Sequence, residues 1–442
     1  MHGSGLLTRL RQIPLGILKA RQETAAIQGE KFTRRTAEKL PPATAGHRLS
    51  HGEICRHCGK PHAEGAAKSP HQRSQRRFSV EIFVYEHNWL LYIAAFACAF
   101  GICLLTTPLA KRISIKAGAI DYPKKRGLHK EPIPRMGGLA IVLGFVVTML
   151  ILAPFKAEIR TVEFMGFIGG ALIIVVLGMI DDIYQLGAKV KITVQFIAAL
   201  VVVLTGTTID LVTWPIPAYL DGFSAPFTIF WIIGVTNAVN IIDGVDGLAA
   251  GVSSICATCL MILCILTGSP LAVALMAALA GSCLGFLPRN FNPAEIIMGD
   301  TGSTFLGYVL AVSSILGVFK SYALLAVLIA VLCLALPILD TAFAMVRRAL
   351  NGKPIMGADR GHLHHRLIDY GYNQKQTVLI LYIVSAVSGS IAILIAIRNF
   401  YAITVAAVFF LALLSILYVY KKRVNAIADS SRAKGEEIQV KN

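Results

Sequence analysis

From residue 89 onward the chain alternates between long apolar runs and short polar breaks. The runs fall at 89 to 109, 136 to 154, 163 to 180, 191 to 206, 226 to 243, 247 to 267, 271 to 288, 303 to 319, 322 to 343, 376 to 396 and 400 to 420. Each is roughly 16 to 22 residues long, which as a helix matches the hydrocarbon core of a bilayer, although the fourth is short. The pattern predicts an all-α, polytopic integral membrane protein with about 11 transmembrane helices. Composition agrees: 55% of the 442 residues are hydrophobic and 15% charged, and a mean hydropathy of +0.65 excludes an ordinary soluble globular protein. Seven of the nine cysteines sit inside the apolar runs, as small packing residues rather than a disulfide framework.

Charge sets the orientation. Alternate polar breaks, counted from residue 110, hold 23 Lys and Arg, against four (Lys156, Arg160, Lys320 and Arg398) in the opposite set. The basic set is therefore expected in the cytoplasm together with the C-terminus. Residues 1–78 are a different kind of sequence, with 15 Lys and Arg against 5 Glu and no apolar periodicity, and they are expected to be disordered. An odd number of spans puts this basic tail outside, against the usual bias, so either one span is miscounted or the native chain begins near Val80. The second reading is adopted. Within the tail, His51-x3-Cys55-x2-Cys58-x3-His62 has zinc-ligand types, but no hydrophobic pattern surrounds it and disorder is the expectation. The domain division is 1–78 (tail), 79–425 (membrane domain) and 426–442 (polar cytoplasmic tail).

Five polar stretches interrupt this apolar background on the side assigned to the cytoplasm. Asn237, Asn240, Asp243 and Asp246 recur every third residue, tracing a drifting polar ridge on a helix. Gly244 and Gly247 would let the backbone leave that helix and bring amides close to a ligand; a solvated interhelical turn is the plainer alternative. Asp181 and Asp182 end the third run, and adjacent carboxylates there call for a cation. Lys189 and Lys191 would serve as partners in a hydrated turn; a Mg²⁺ site is the functional alternative. Gly299-Asp300-Thr301-Gly302-Ser303 opens the eighth run, offering a carboxylate and helix N-terminal amides, or simply an N-cap at Ser303 or Asp300. The loop 111–135 ends in Pro134-Arg135-Met136-Gly137-Gly138, with Lys130 and Arg135 placed for an anionic substrate or a lipid phosphate. The last large loop carries Asp359-Arg360-Gly-His362-Leu-His364-His365-Arg366-Leu367, where arginines among the histidines favour anion binding over a transition metal.

Together these stretches resemble the polyprenyl-phosphate N-acetylhexosamine-1-phosphate transferases, integral membrane enzymes that include the GlcNAc-1-phosphate and MurNAc-pentapeptide phosphate branches. The resemblance covers residues 88 to 420 and rests on the five motifs at 134–138, 181–182, 237–248, 299–303 and 362–367, in order. It implies transfer of a sugar 1-phosphate from a UDP-sugar to undecaprenyl phosphate, giving the lipid diphosphate sugar and UMP, with Mg²⁺ (or Mn²⁺) as cofactor. Carried over by position, it makes Asp182 and Asp300 the metal ligands and Asp181 the partner of the attacking lipid phosphate, with the order of Asp181 and Asp182 left open. Asn240, Asp243, Asp246 and Lys130 would line the uridine and diphosphate pocket, joined by Asn237 and Arg135. His362, His364, His365 and Arg366 would meet the sugar and phosphates. The His-x-His-His-Arg-Leu pattern is similar to the GlcNAc branch, with the MurNAc-pentapeptide branch as the alternative; Ile297 stands where some relatives place an aromatic. The expected setting is a bacterial plasma membrane with the active site on the cytoplasmic face, the bilayer and a homodimer as partners, and no nucleic acid. A transporter is the rival from another class, but it predicts charges near the midplane and internal repeats, and neither is present.

Overall fold

The computed structural model describes residues 89–123, 131–155, 161–209, 222–318, 323–352, 362–397 and 404, all within the unit Ser69–Asn442. The basic tail with its His51, Cys55, Cys58 and His62 pattern, Lys130, Asp359 and Arg360, the eleventh apolar run apart from residue 404, and the C-terminal tail lie outside the described residues. Those described form twelve helices and one short β-ladder: α1 Trp89–Lys116, β1 Ile120–Asp121, β2 Ile133–Pro134, α2 Gly138–Leu152, α3 Val162–Tyr184, α4 Ala188–Leu204, α5 Ser224–Ile242, α6 Leu248–Leu266, α7 Pro270–Asn290, α8 Gly299–Gly317, α9 Ala323–Cys333, α10 Ala335–Leu350, α11 Leu363–Asp369 and α12 Gln374–Ala396. The protein is a helical, polytopic membrane protein. Local sequence sets several helix starts: Thr161 Oγ1 accepts from Phe164 N–H to cap α3, Pro270 opens α7, and Asn373 with Gln376 forms a capping box on α12.

Helix α8 is the hub. It packs against α2, α3, α5, α6 and α7, and all of its residues are buried except Asp300. Because none of its faces meets lipid, it tolerates buried Ser303, Thr304, Ser313 and Ser314, several of which return hydrogen bonds to backbone carbonyls of their own helix. Among the described residues six helices are long and apolar enough to cross a membrane by themselves, and α8 is not one of them. Hydropathy measures contact with lipid, and a helix enclosed by protein escapes it.

The ninth apolar run, expected as one span, is two helices bent by 92°. Pro337 sits four residues after Cys333, so it has no N–H for the Cys333 carbonyl and its ring crowds that oxygen. The carbonyl is met instead by the Cys256 thiol at 3.0 Å. Beyond the bend, α10 carries Leu339, Phe343, Val346 and Leu350 exposed along one face. The described cysteines are all free, and all but Cys98 are buried.

The ladder pairs Ile120 with Pro134 and Asp121 with Ile133, and the chain then runs on as an extended strip against the segment entering α8. Ile297 N–H donates to Pro134 O at 2.8 Å, Gly137 N–H to Ile297 O at 2.9 Å, and Gly138 N–H to Met298 O at 2.8 Å. A Cβ on Gly138 would overlap the Gly302 backbone, and one on Gly178 the Thr301 backbone. These glycines let α2 and α3 close directly on the first turn of α8.

Candidate active site

Asp182 performs the job expected of Ser303 or Asp300: it caps α8. Its Oδ1 accepts from Asp300 N–H at 2.9 Å, and its Oδ2 from Thr301 N–H at 2.9 Å and Thr301 Oγ1 at 2.6 Å. Arg135 donates to the same Oδ1 from Nε at 3.3 Å, with a second guanidinium nitrogen at 3.2 Å. Both oxygens of this buried carboxylate are thus engaged, and two N-terminal amides of α8, those of Asp300 and Thr301, are already in use. Gly299, at φ +74°, is held so close that a Cβ would press on the Asp182 oxygens. A negative group at a helix N-terminus is favoured by the free N–H groups and the helix dipole.

Asp181 faces elsewhere. Its Oδ1 accepts from Leu186 N–H at 2.7 Å, while its Oδ2 lies 2.7 Å from Lys191 Nζ. The same ammonium closes on Asp300 Oδ2, which also accepts from Asn240 Nδ2 at 3.2 Å. Lys191 therefore bridges two carboxylates brought together from α3 and α8, and a cation is what that geometry requires. Among the described residues no three His, Cys, Asp or Glu side chains form a ready-made metal cage. Mg²⁺ does not need one, since it keeps water and substrate phosphates among its ligands. The Asp181 and Asp300 pair, with the Asn240 amide turned to present oxygen, fits such an ion; the saturated Asp182 does not.

The ridge expected on one helix divides at the end of α5. Asn237 and Asn240 are helical, Asp243 is the C-terminal cap residue, and Gly247, at φ +77°, turns the chain into α6. Asn237 faces inward and pairs with buried Gln195, its Nδ2 donating to Gln195 Oε1 at 2.6 Å, which clamps α5 to α4. The half-buried Asp243 has its carboxyl pushed up to about 8 by burial and by the nearby carboxylates of Asp300, Asp182 and Asp246, with Arg135 opposing. Asp246 accepts from Asn292 Nδ2 at 3.0 Å and from Ala294 N–H at 3.1 Å, which ties the turn to the loop before α8. It opens onto a cleft of about 1200 Å³ whose walls include Lys111, Glu131, Ile133, Asn292 and Gln374. The cleft lies beside the Asp181 and Asp300 pair rather than over it, reaching it through Pro134–Arg135 and through the turn 243–246.

The histidine stretch is α11 with its leading residue. His364 is buried and sits against Gly244, where a Cβ would come within 2.9 Å of His364 Nε2. Burial, with His365 adding to it, pushes its imidazole down to about 4. The His362 and His364 rings stack at 5.8 Å, and His365 lies 4.3 Å from His364, while Arg366 is exposed. Asp340 on α10 holds the start of this stretch: its Oδ2 meets His362 Nδ1 at 3.0 Å and its Oδ1 accepts from Leu363 N–H at 2.8 Å. Asp340 and Gln195 were not singled out in the sequence, yet each is a polar residue inside an apolar run, which is the signal that marks them.

A helical membrane core whose acidic, basic and amide side chains converge at one end of the bundle, beside a large cleft, has the framework of an integral membrane enzyme acting on charged substrates. The glycosyl transferase family 4 pattern matches residues 164–318, which span α3 to α8 and so include Asp181, Asp182, the turn at 243–247 and Asp300. A probable undecaprenyl-phosphate N-acetylglucosaminyl 1-phosphate transferase of Bacillus subtilis is 39% identical over 313 residues, 70% of this chain and 86% of the relative. The decaprenyl-phosphate N-acetylglucosaminephosphotransferase of Mycolicibacterium smegmatis is 34% identical over 64% of this chain and 76% of its own. The undecaprenyl-phosphate α-N-acetylglucosaminyl 1-phosphate transferase of Escherichia coli K12 is 26% identical over 70% and 85% respectively. The chain belongs to this family of membrane transferases, as its five motifs led us to expect.

Proposed function

We propose that the protein transfers N-acetylglucosamine 1-phosphate from UDP-N-acetylglucosamine to undecaprenyl phosphate, producing undecaprenyl-diphosphate-N-acetylglucosamine and UMP, in a Mg²⁺-dependent reaction at the cytoplasmic face of a bacterial plasma membrane. The observation that carries this reading is the convergence of Asp181, Asp300, Asn240 and Lys191 at one point beside the cleft, in a chain whose relatives are named for this transfer. In the reaction an oxygen of the lipid phosphate attacks the sugar-bearing phosphorus of the donor, the bond to the bridging oxygen breaks, and UMP leaves with the electron pair. Such a transfer needs neutralised charge and alignment more than covalent help from the protein.

Each group then has a task. Asp181 and Asp300 would hold Mg²⁺, which would supply positive charge to the diphosphate; of the two orders left open for the adjacent aspartates, this takes Asp181 for the metal. Asp182, through α8 and Arg135, holds Asp300 in place. Lys191 occupies the space between the carboxylates, and its ammonium on a flexible stem is suited to pairing with a substrate phosphate. The cleft at Asp246 and Asn292 receives the nucleotide, and Lys130 is assigned to the same ligand by its place in the sequence alone. The apolar stripe of Leu339, Phe343, Val346 and Leu350 on the bent α10 offers the prenyl chain a surface, and the tethered His362 brings donors to the phosphate end.

The test is UMP release by the purified full-length protein with undecaprenyl phosphate and Mg²⁺, offered UDP-GlcNAc, UDP-GalNAc or UDP-MurNAc-pentapeptide. Release with UDP-GlcNAc alone is expected. Release only with the pentapeptide donor would overturn the sugar assignment, and solute uptake into proteoliposomes without UMP release would overturn the transfer reaction itself.

A further inference from the structure

Asp340 belongs to none of the five motifs, yet it touches two groups at the head of the histidine stretch. It is half-buried on α10, three residues past Pro337, so the bend in the ninth apolar run is what carries it to His362. One oxygen accepts the first backbone N–H of α11 and the other faces a ring nitrogen of His362. A carboxylate can only accept, so His362 Nδ1 must be the donor in this contact. That leaves Nε2 as the ring atom with no partner among the described residues. The carboxylate behind the ring lets Nδ1 keep its proton while Nε2 carries one as well, the arrangement in which the ring presents an N–H to a phosphate oxygen.

We propose that Asp340 is a positioning residue for the transfer: it fixes the protonation pattern and direction of the His362 imidazole and ties both to α10, the helix with the exposed apolar stripe. Seating of a prenyl chain on α10 and placement of the His362 donor are then properties of one rigid piece. The inference rests on the reading that the histidine stretch meets substrate phosphates.

Asp340→Asn tests this sharply because the Leu363 N–H fixes how the new amide sits. Its oxygen must accept from Leu363, which turns the NH₂ toward His362 and makes Nδ1 an acceptor. With Nδ1 now accepting, the ring can carry a proton only at Nε2, as the neutral tautomer, with almost no change of shape, whereas Asp340→Ala would strand a backbone N–H. Nitrogen-15 NMR of histidine-labelled full-length protein, with the His362 signals assigned by their loss in His362→Gln, reads the tautomer directly. The expected result is protonated Nδ1 in the wild type and unprotonated Nδ1 in Asp340→Asn. Kinetically, Asp340→Asn should lower kcat about 10-fold or more, Asp340→Glu should restore part of the loss, and Asp340→Asn with His362→Gln should be no slower than His362→Gln alone. An unchanged His362 tautomer, or losses that multiply in the double variant, would overturn the proposal. Absence of UMP release from the wild type would instead overturn the transfer reading, and the spectra would still decide whether Asp340 governs His362.

Discussion

Replacing Asp182 by Asn separates the two roles this residue has been offered, metal ligand and helix cap. The carboxylate accepts from Asp300 N–H, Thr301 N–H, Thr301 Oγ1 and Arg135 at a buried position. An amide has one accepting end. If its oxygen stays with Thr301, its NH₂ faces the Asp300 N–H and the Arg135 guanidinium; reversed, it faces both Thr301 donors. Either way a buried backbone N–H loses its acceptor, at about 1–3 kcal/mol, and Arg135, only 15% exposed, loses its anionic partner. The combined cost is about 3–5 kcal/mol. Asp300→Asn behaves differently, because Asp300 caps nothing and sits in a cluster of carboxylates. Thermal unfolding in detergent, followed by reaction of the buried cysteines with a thiol-reactive dye, reads both variants. Asp182→Asn should unfold at least ~5 °C lower than wild type, whereas Asp300→Asn should unfold within a degree or two of it while losing turnover. An Asp182→Asn protein as stable as wild type but unable to bind Mg²⁺ would refute the cap and return the residue to the metal.

Lys191→Met leaves Asp181 and Asp300 facing each other without their bridging ammonium, so transfer should fall about 100-fold and the Mg²⁺ concentration for half-maximal activity should drop, since the lysine no longer competes for the pair; titration of activity against Mg²⁺ checks both. Gly138→Val drives a side chain into the Gly302 backbone and should prevent α2 from closing on α8, giving aggregated protein on size-exclusion chromatography, while Gly118→Ala, at a glycine with open space around it, should remain monodisperse and lose only a few tenths to about 1 kcal/mol from its φ of +72°. His364 is held neutral by burial, with its imidazole shifted from 6.5 to about 4. The folded state therefore binds fewer protons than the unfolded one between these values, and stability present above pH 6.5 is lost as pH falls toward 4, by roughly 3 kcal/mol in all. His364→Leu should flatten that limb of the pH–stability curve, and an unchanged acid limb would contradict the burial argument.

The apolar periodicity alone determined that this is a helical membrane protein, and ten of the eleven runs coincide with described helices. A run of some twenty apolar residues has few ways other than a helix to satisfy its backbone in lipid. It also marked the residues of the site, because carboxylates, amides and cations at the ends of such runs are costly unless they are used. What it left open was how they pair. Asp181 and Asp182 are neighbours in the chain, but successive helix positions point about 100° apart, so one reaches Lys191 and the other turns under α8. That difference depends on Gly138, Gly178 and Gly302 letting three helices touch, a contact between segments far apart in sequence. The polar ridge at 237–246 was legible as composition, yet its division between Asp300 on one side and Asn292 on the other follows from the left-handed turn at Gly247 and from where α7 ends and α8 begins. Asp340 was hidden within an apparently continuous span because the bend at Pro337 acquires its meaning only when Cys256 and the histidine stretch are packed against it. The sequence by itself determined which chemical groups are present and which face they share; the tertiary structure decided which oxygen meets which donor, because hydrogen bonds act over about 3 Å and only packing brings distant residues that close.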